Sequence, residues 1–169
     1  MSLFMGGGQS DLRKYFQNDR RNTLMRYFSE ELFFRNMKEG TKEDVLKRLC
    51  QAAAGEDISD DIYSHVMKRE AIGGTAFGNY VAIPHPDQPM GSRSFVVTGI
   101  LERPILWDKD EVQIVFLLVM KAGGDHDLQL FYKSVSRFLS DKALVQRLIQ
   151  KQTFEELIAV LDSLSYEAR

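Results

Sequence analysis

The residues of this 169-residue chain best suited to chemistry lie in the run REAIGGTAFGNYVAIPHP, residues 69–86. It ends in Pro84-His85-Pro86, which sets an imidazole between two residues of fixed φ, each biasing its predecessor away from the helical region. Such a backbone presents the ring rather than packing it. The blander alternative is a turn histidine that only closes a strand. Arg69 precedes a turn rich in glycine (Gly73, Gly74, Gly78), which also carries the hydroxyl of Thr75 and the amide of Asn79. A second histidine, His126, follows Gly123-Gly124-Asp125 just beyond the most apolar stretch, and sites in α/β sheets gather at the C-terminal edges of strands. A nucleophilic imidazole, a second imidazole, a guanidinium and neutral donors together suit capture of a phosphoryl group. The third histidine, His65, falls inside an expected helix and matches no motif position.

A metal-dependent hydrolase is a competing class, with His85, Asp87, Asp125 and His126 as ligands. The residue types suit zinc, but the pairs lack the regular local spacing of known sites. Phosphoryl capture by an imidazole requires no metal or organic cofactor, and none is expected.

These side chains need a scaffold, and the composition allows one. With 44% hydrophobic and 27% charged residues and a formal net charge of -2, the chain is too apolar and too nearly neutral to be disordered. It lacks the basic excess that binding nucleic acid by charge requires. A single cysteine, Cys50, makes no internal disulfide and fits a reducing compartment. The longest apolar run, residues 114–120, is far short of the roughly 20 residues that span a bilayer, and the N-terminus has no signal-peptide pattern. A soluble, cytoplasmic protein is expected.

All four prolines (Pro84, Pro86, Pro89, Pro104) fall in one central window, leaving the flanks free to be helical. Residues 1–10, with three consecutive glycines, read as a tag or flexible leader. Residues 11–27 read as a linker or peripheral amphipathic helix with a basic face, and residues 28–165 as the domain. Within it, Leu32-Phe33-Phe34 suits a strand. Thr41 caps a helix carrying Val45, Leu46, Leu49 and Cys50 on one face, and a second helix covers residues 59–69. Strands follow at 80–83, 94–101 and 112–120; the last is apolar on both faces and should be central. Helices at 126–139 and 143–149 precede a third that opens with the capping box Thr153-Phe-Glu-Glu156. Trp107 is expected to cover the sheet edge. The element order predicts an α/β fold, a mixed sheet of about five strands flanked by helices on both faces.

The Arg-Glu pair closing a helix, the turn with Thr, Gly and Asn, the AIPH strand end, and the later apolar strand followed by Asp-His-Asp-Leu resemble the mannitol/fructose-type (type 2) enzyme IIA domains of the bacterial phosphoenolpyruvate-dependent sugar phosphotransferase system. The resemblance covers about residues 28–162. It implies the mannitol-type enzyme IIA fold, phosphorylation of His85 by the histidine-containing phosphocarrier protein, His126 as the active-site companion, and Arg69 holding the phosphoryl oxygens, with Thr75 and Asn79 as phosphate contacts. Family members usually carry glycine after the histidine; here it is Pro86, which stiffens the following loop. The phrases TAFGNYVAIPHP and PILW...VQIVFLL look more like the copies fused to the C-terminus of BglG-type antiterminators than like transporter subunits. The resemblance thus implies a regulatory phosphoacceptor more than a turnover enzyme, with upstream regulatory domains as partners and no direct nucleic-acid binding by this domain. The alternative is a stand-alone carrier that passes the group to a transporter's IIB domain.

Overall fold

Residues 112–119 are buried without a break, as a strand covered on both faces must be. The computed structural model describes residues 24–56 and 61–167; the expected leader and most of the segment 11–27 lie outside them. In chain order the elements are β1 (Phe33–Met37), α1 (Lys42–Ala54), α2 (Ile62–Ile72), β2 (Ala76–Gly78), β3 (Tyr80–Ala82), β4 (Phe95–Trp107), β5 (Asp110–Val119), α3 (Leu128–Ser140), α4 (Lys142–Lys151) and α5 (Phe154–Glu167). The strands form one mixed sheet in the order β1-β4-β5-β3-β2. β5 is its centre, antiparallel to β4 and parallel to β3.

Period-two alternation splits the core between the two faces. Ile114, Phe116 and Leu118 point into a cluster with Phe131, Val135 and Phe138 of α3 and with the apolar faces of α4 and α5. Val115, Leu117 and Val119 point the other way, against Val45, Leu46 and Leu49 of α1 and Val66 of α2. Gly99 of β4 allows the close approach of α1: a Cβ there would meet Met37 Sδ at 2.7 Å and Leu49 Cδ2 at 3.2 Å. Leu24 and Tyr27 also belong to the core, and Val96 N donates to Tyr27 O at 2.7 Å. Among the described residues the packing thus includes positions ahead of the expected boundary at 28.

The helix starts follow from their caps. Thr41 accepts from Asp44 N at 3.1 Å, and Asp61 accepts from Ser64 N at 3.3 Å. Thr153 accepts from Glu156 N at 3.1 Å, but the Glu156 carboxylate is engaged by Arg147 at 2.8 Å. Only half of the expected capping box forms. Two further expectations need correction. β4 does not end at residue 101: it runs through Pro104, because the ladder with β5 slips between Ile100 and Ile105 and the pairing with β1 has ended at Leu101. A missing N–H there costs no ladder bond. Trp107 does not cover an edge; it is fully buried, with Lys42 Nζ 5.6 Å from its ring centroid. The fourth helix of the described chain, α4, ends on a left-handed Gln152, φ 45°, whose side chain bonds Leu101 O and Asn36 N.

Candidate functional site

β3 and β5 run parallel, so the residues that leave their C-terminal ends emerge at one edge of the sheet. His85 follows β3 by three residues, and His126 follows β5 by seven. The His85 segment continues the ladder: Ile83 N donates to Thr75 O at 3.0 Å, and Leu118 N to Pro84 O at 3.0 Å. Both prolines around the histidine are buried while the histidine itself is half-buried. Its Nδ1 lies 3.1 Å from Ile83 O. A carbonyl oxygen only accepts, so Nδ1 carries the proton and Nε2 is left with its lone pair.

His65, to which the sequence reading gave no role, holds the same loop from α2. Its Nδ1 is 2.7 Å from Asp87 Oδ1, and its carbonyl accepts from Asp87 N at 3.1 Å. The two residues are 22 apart in sequence, so no local spacing could announce the contact.

Arg69 occupies the last turn of α2, where a cation is favoured by the helix dipole, and donates to Gly73 O at 2.7 Å. It also faces α3: burial pushes the Tyr132 hydroxyl up, and the Arg69 charge draws it partly back. The Thr75 hydroxyl is buried and donates to the Glu70 carboxylate, itself 2.7 Å from Lys42 Nζ. Asn79 donates its amide to Leu139 O at 2.9 Å, tying the turn to the end of α3. This turn is strained, with Gly78, Asn79 and Tyr80 at φ 92°, 53° and 68°, a costly geometry for a tyrosine.

His126 is exposed and does not open the helix, which starts two residues later. It lines a cavity of about 400 Å³ together with Tyr27, Arg93, Lys121 and Asp125. Burial would raise the Asp125 carboxyl, but the Ser94 hydroxyl, the Asp127 N–H and the Tyr27 hydroxyl hold it below the usual aspartate value. Among the described residues, no hydrogen bond joins His126 to His85 or Arg69, and no three His, Cys, Asp or Glu side chains converge as a cation site would need. Asp87 and Asp125, the carboxylates of the hydrolase alternative, are instead engaged by His65 and Tyr27.

Residues 26–164 match the family model described as phosphoenolpyruvate-dependent sugar phosphotransferase system, EIIA 2. A probable licABCH operon regulator of Bacillus subtilis is 32% identical over 96% of this chain. The chain spans only 25% of that relative's length. The mannitol-specific phosphotransferase enzyme IIA component of Staphylococcus aureus is 26% identical, with 80% of this chain aligned to 94% of that one. Enzyme IIA-mannitol of Escherichia coli, solved in complex with its phosphorylated IIB partner, shares the fold with a TM-score of 0.66 at 17% identity, covering 80% of this chain and 97% of that one. Among the described residues, no helix is long and apolar enough to cross a membrane.

Proposed function

Because the chain belongs to the EIIA 2 family of the phosphoenolpyruvate-dependent sugar phosphotransferase system, we propose that it accepts a phosphoryl group on Nε2 of His85 from the system's histidine-containing phosphocarrier protein. The observation that carries this reading is the bond from His85 Nδ1 to the Ile83 carbonyl, which fixes the tautomer and leaves Nε2 nucleophilic. In the step, that lone pair attacks phosphorus in line. The P–N bond to the donor's imidazole breaks, and its electron pair leaves with that imidazole. No proton leaves His85 Nδ1. The protein's remaining contribution is alignment and charge stabilisation, for which Arg69 and His126 supply cationic or donor groups. The Thr75 hydroxyl proton is engaged by Glu70 and one Asn79 amide N–H by the Leu139 carbonyl; both side chains shape the turn beside the site, and Asn79 keeps a second N–H for a phosphoryl oxygen.

We read the domain as the phosphorylation sensor of a sugar-operon regulator working in the cytoplasm, where this relay operates, with the upstream regulatory domains as its partners. The similarity to the licABCH operon regulator over 96% of the chain supports this. A stand-alone carrier is the second reading, favoured by the mannitol-specific component whose length the chain nearly covers. Pro86 stiffens the loop after the acceptor, which favours retention of the phosphoryl group. The test is to phosphorylate the protein, present a mannitol-type IIB domain and follow the label. The sensor reading predicts slow loss; rapid, complete transfer to IIB would replace it with the carrier. Losing a preorganised charge-stabilising donor typically costs ~10²-fold in rate, so Arg69→Ala and His126→Ala should slow labelling by about that much. Wild-type rates in both would remove them from the site.

A further inference from the structure

We propose that His65 is a positioning residue for His85, acting through Asp87; the proposal rests on the reading of His85 as the phosphoryl acceptor. On its N-terminal side the acceptor loop is anchored by bonds from Ile83 N to Thr75 and from Leu118 N to Pro84. On its C-terminal side Pro86 has no N–H to offer, so the first backbone N–H donor after His85 is that of Asp87. His65 ties Asp87 twice, by a carbonyl that accepts from Asp87 N at 3.1 Å and by an Nδ1 at 2.7 Å from Asp87 Oδ1. Among the described residues no other hydrogen bond holds residues 86–89; the next anchor is Met90 N to Met120 O at 3.0 Å. His65 therefore sets where the chain goes on leaving His85, and with it the direction in which Nε2 points.

The contact is a poor stability device. The side chains of His65 and Asp87 are 19% and 30% exposed, and a hydrogen bond open to water contributes little to stability. Its leverage is geometric, because in-line transfer needs the nucleophile within a fraction of an ångström of its best position. A displacement of about 1 Å costs on the order of 10²-fold in rate. A large kinetic effect with a small effect on folding is the signature of positioning.

The experiment follows phosphorylation of the full chain by phosphoenolpyruvate, enzyme I and the histidine phosphocarrier, at several carrier concentrations, beside the thermal midpoint of each variant. His65→Ala and Asp87→Ala should each lower kcat by roughly 10-fold or more with KM for the carrier nearly unchanged. The double variant should be no slower than the slower single one, since both remove one contact. His65→Asn, which keeps an N–H donor where Nδ1 stands, should recover most of the rate. Wild-type kcat in His65→Ala, a loss confined to KM, additive losses in the double variant, a loss matched by unfolding, or no recovery in His65→Asn would each overturn the positioning role. If the wild-type chain takes no label on His85, the functional reading fails instead, and label on His65 itself would overturn both.

Discussion

Replacing Lys42 with methionine should unlock the elements that frame the site. Lys42 Nζ lies 2.7 Å from Glu70 Oε2 and 3.0 Å from Asp108 Oδ2, with the Lys42 and Glu70 side chains 9% and 2% exposed. Glu70 in turn accepts from the Thr75 hydroxyl, and the Thr75 carbonyl accepts from Ile83 N two residues before His85. The network thus joins the start of α1, the end of α2, the glycine-rich turn and the β4–β5 turn. At 2.7 Å and an effective dielectric of about 20, the Coulomb attraction is about 6 kcal/mol. Desolvation cancels part of it, and breaking a buried pair by removing one partner costs about 3–5 kcal/mol. For a chain of this length that lowers Tm by about 6–20 °C. Burial alone would lower the Lys42 pKa, but contacts with Glu70 and Asp108 outweigh it and the pKa is raised above 10.5. Stability from this group is therefore complete below pH 10.5 and lost as pH climbs through the higher folded value; Lys42→Met should lack that alkaline loss. Calorimetry of Lys42→Met, Glu70→Gln and the double variant tests this, with the double variant more stable than Lys42→Met because no orphaned carboxylate remains. A loss of less than ~1 kcal/mol in Lys42→Met, the value of a surface pair, would refute the reasoning.

Two other predictions concern packing and reactivity. Gly99→Ala places a methyl 2.7 Å from Met37 Sδ and 3.2 Å from Leu49 Cδ2, so these two side chains must repack within the core and stability should fall by about 1–3 kcal/mol, read by thermal unfolding. Burial, with the Asp61 charge behind it, pushes the Cys50 thiol up to about 12; since only the thiolate reacts, iodoacetamide at neutral pH should modify it at the unfolding rate, and prompt alkylation of the native protein would contradict its place in the core.

How much of this could be read from the sequence depended on whether the governing interaction was local. The apolar run at 114–120 forced a central strand, and β5 is one. The Pro-flanked His85 leaves the sheet three residues after β3, in the extended backbone that its neighbouring prolines favour. Elsewhere the decisive partner was distant. β2 is three residues long, too short for periodicity, and depends on the strained Gly78-Asn79-Tyr80 turn. Pro104 masked the second half of β4, because a proline excludes a strand only where a neighbour needs its N–H. Trp107 is buried under Lys42, a residue of α1. The contacts of Thr75 with Glu70 and of Asn79 with Leu139 are created by folding, as is that of His65 with Asp87.

Phosphorylation of His85 on Nε2, as proposed above, leaves a spectroscopic signature. The most direct measurement is 31P and 15N NMR of the chain after incubation with phosphoenolpyruvate, enzyme I and the phosphocarrier, beside His85→Ala. One acid-labile phosphoryl group is expected, bonded to Nε2 of His85 and absent from the variant. A group on Nδ1 of His85, or stoichiometric labelling of His85→Ala, would contradict it.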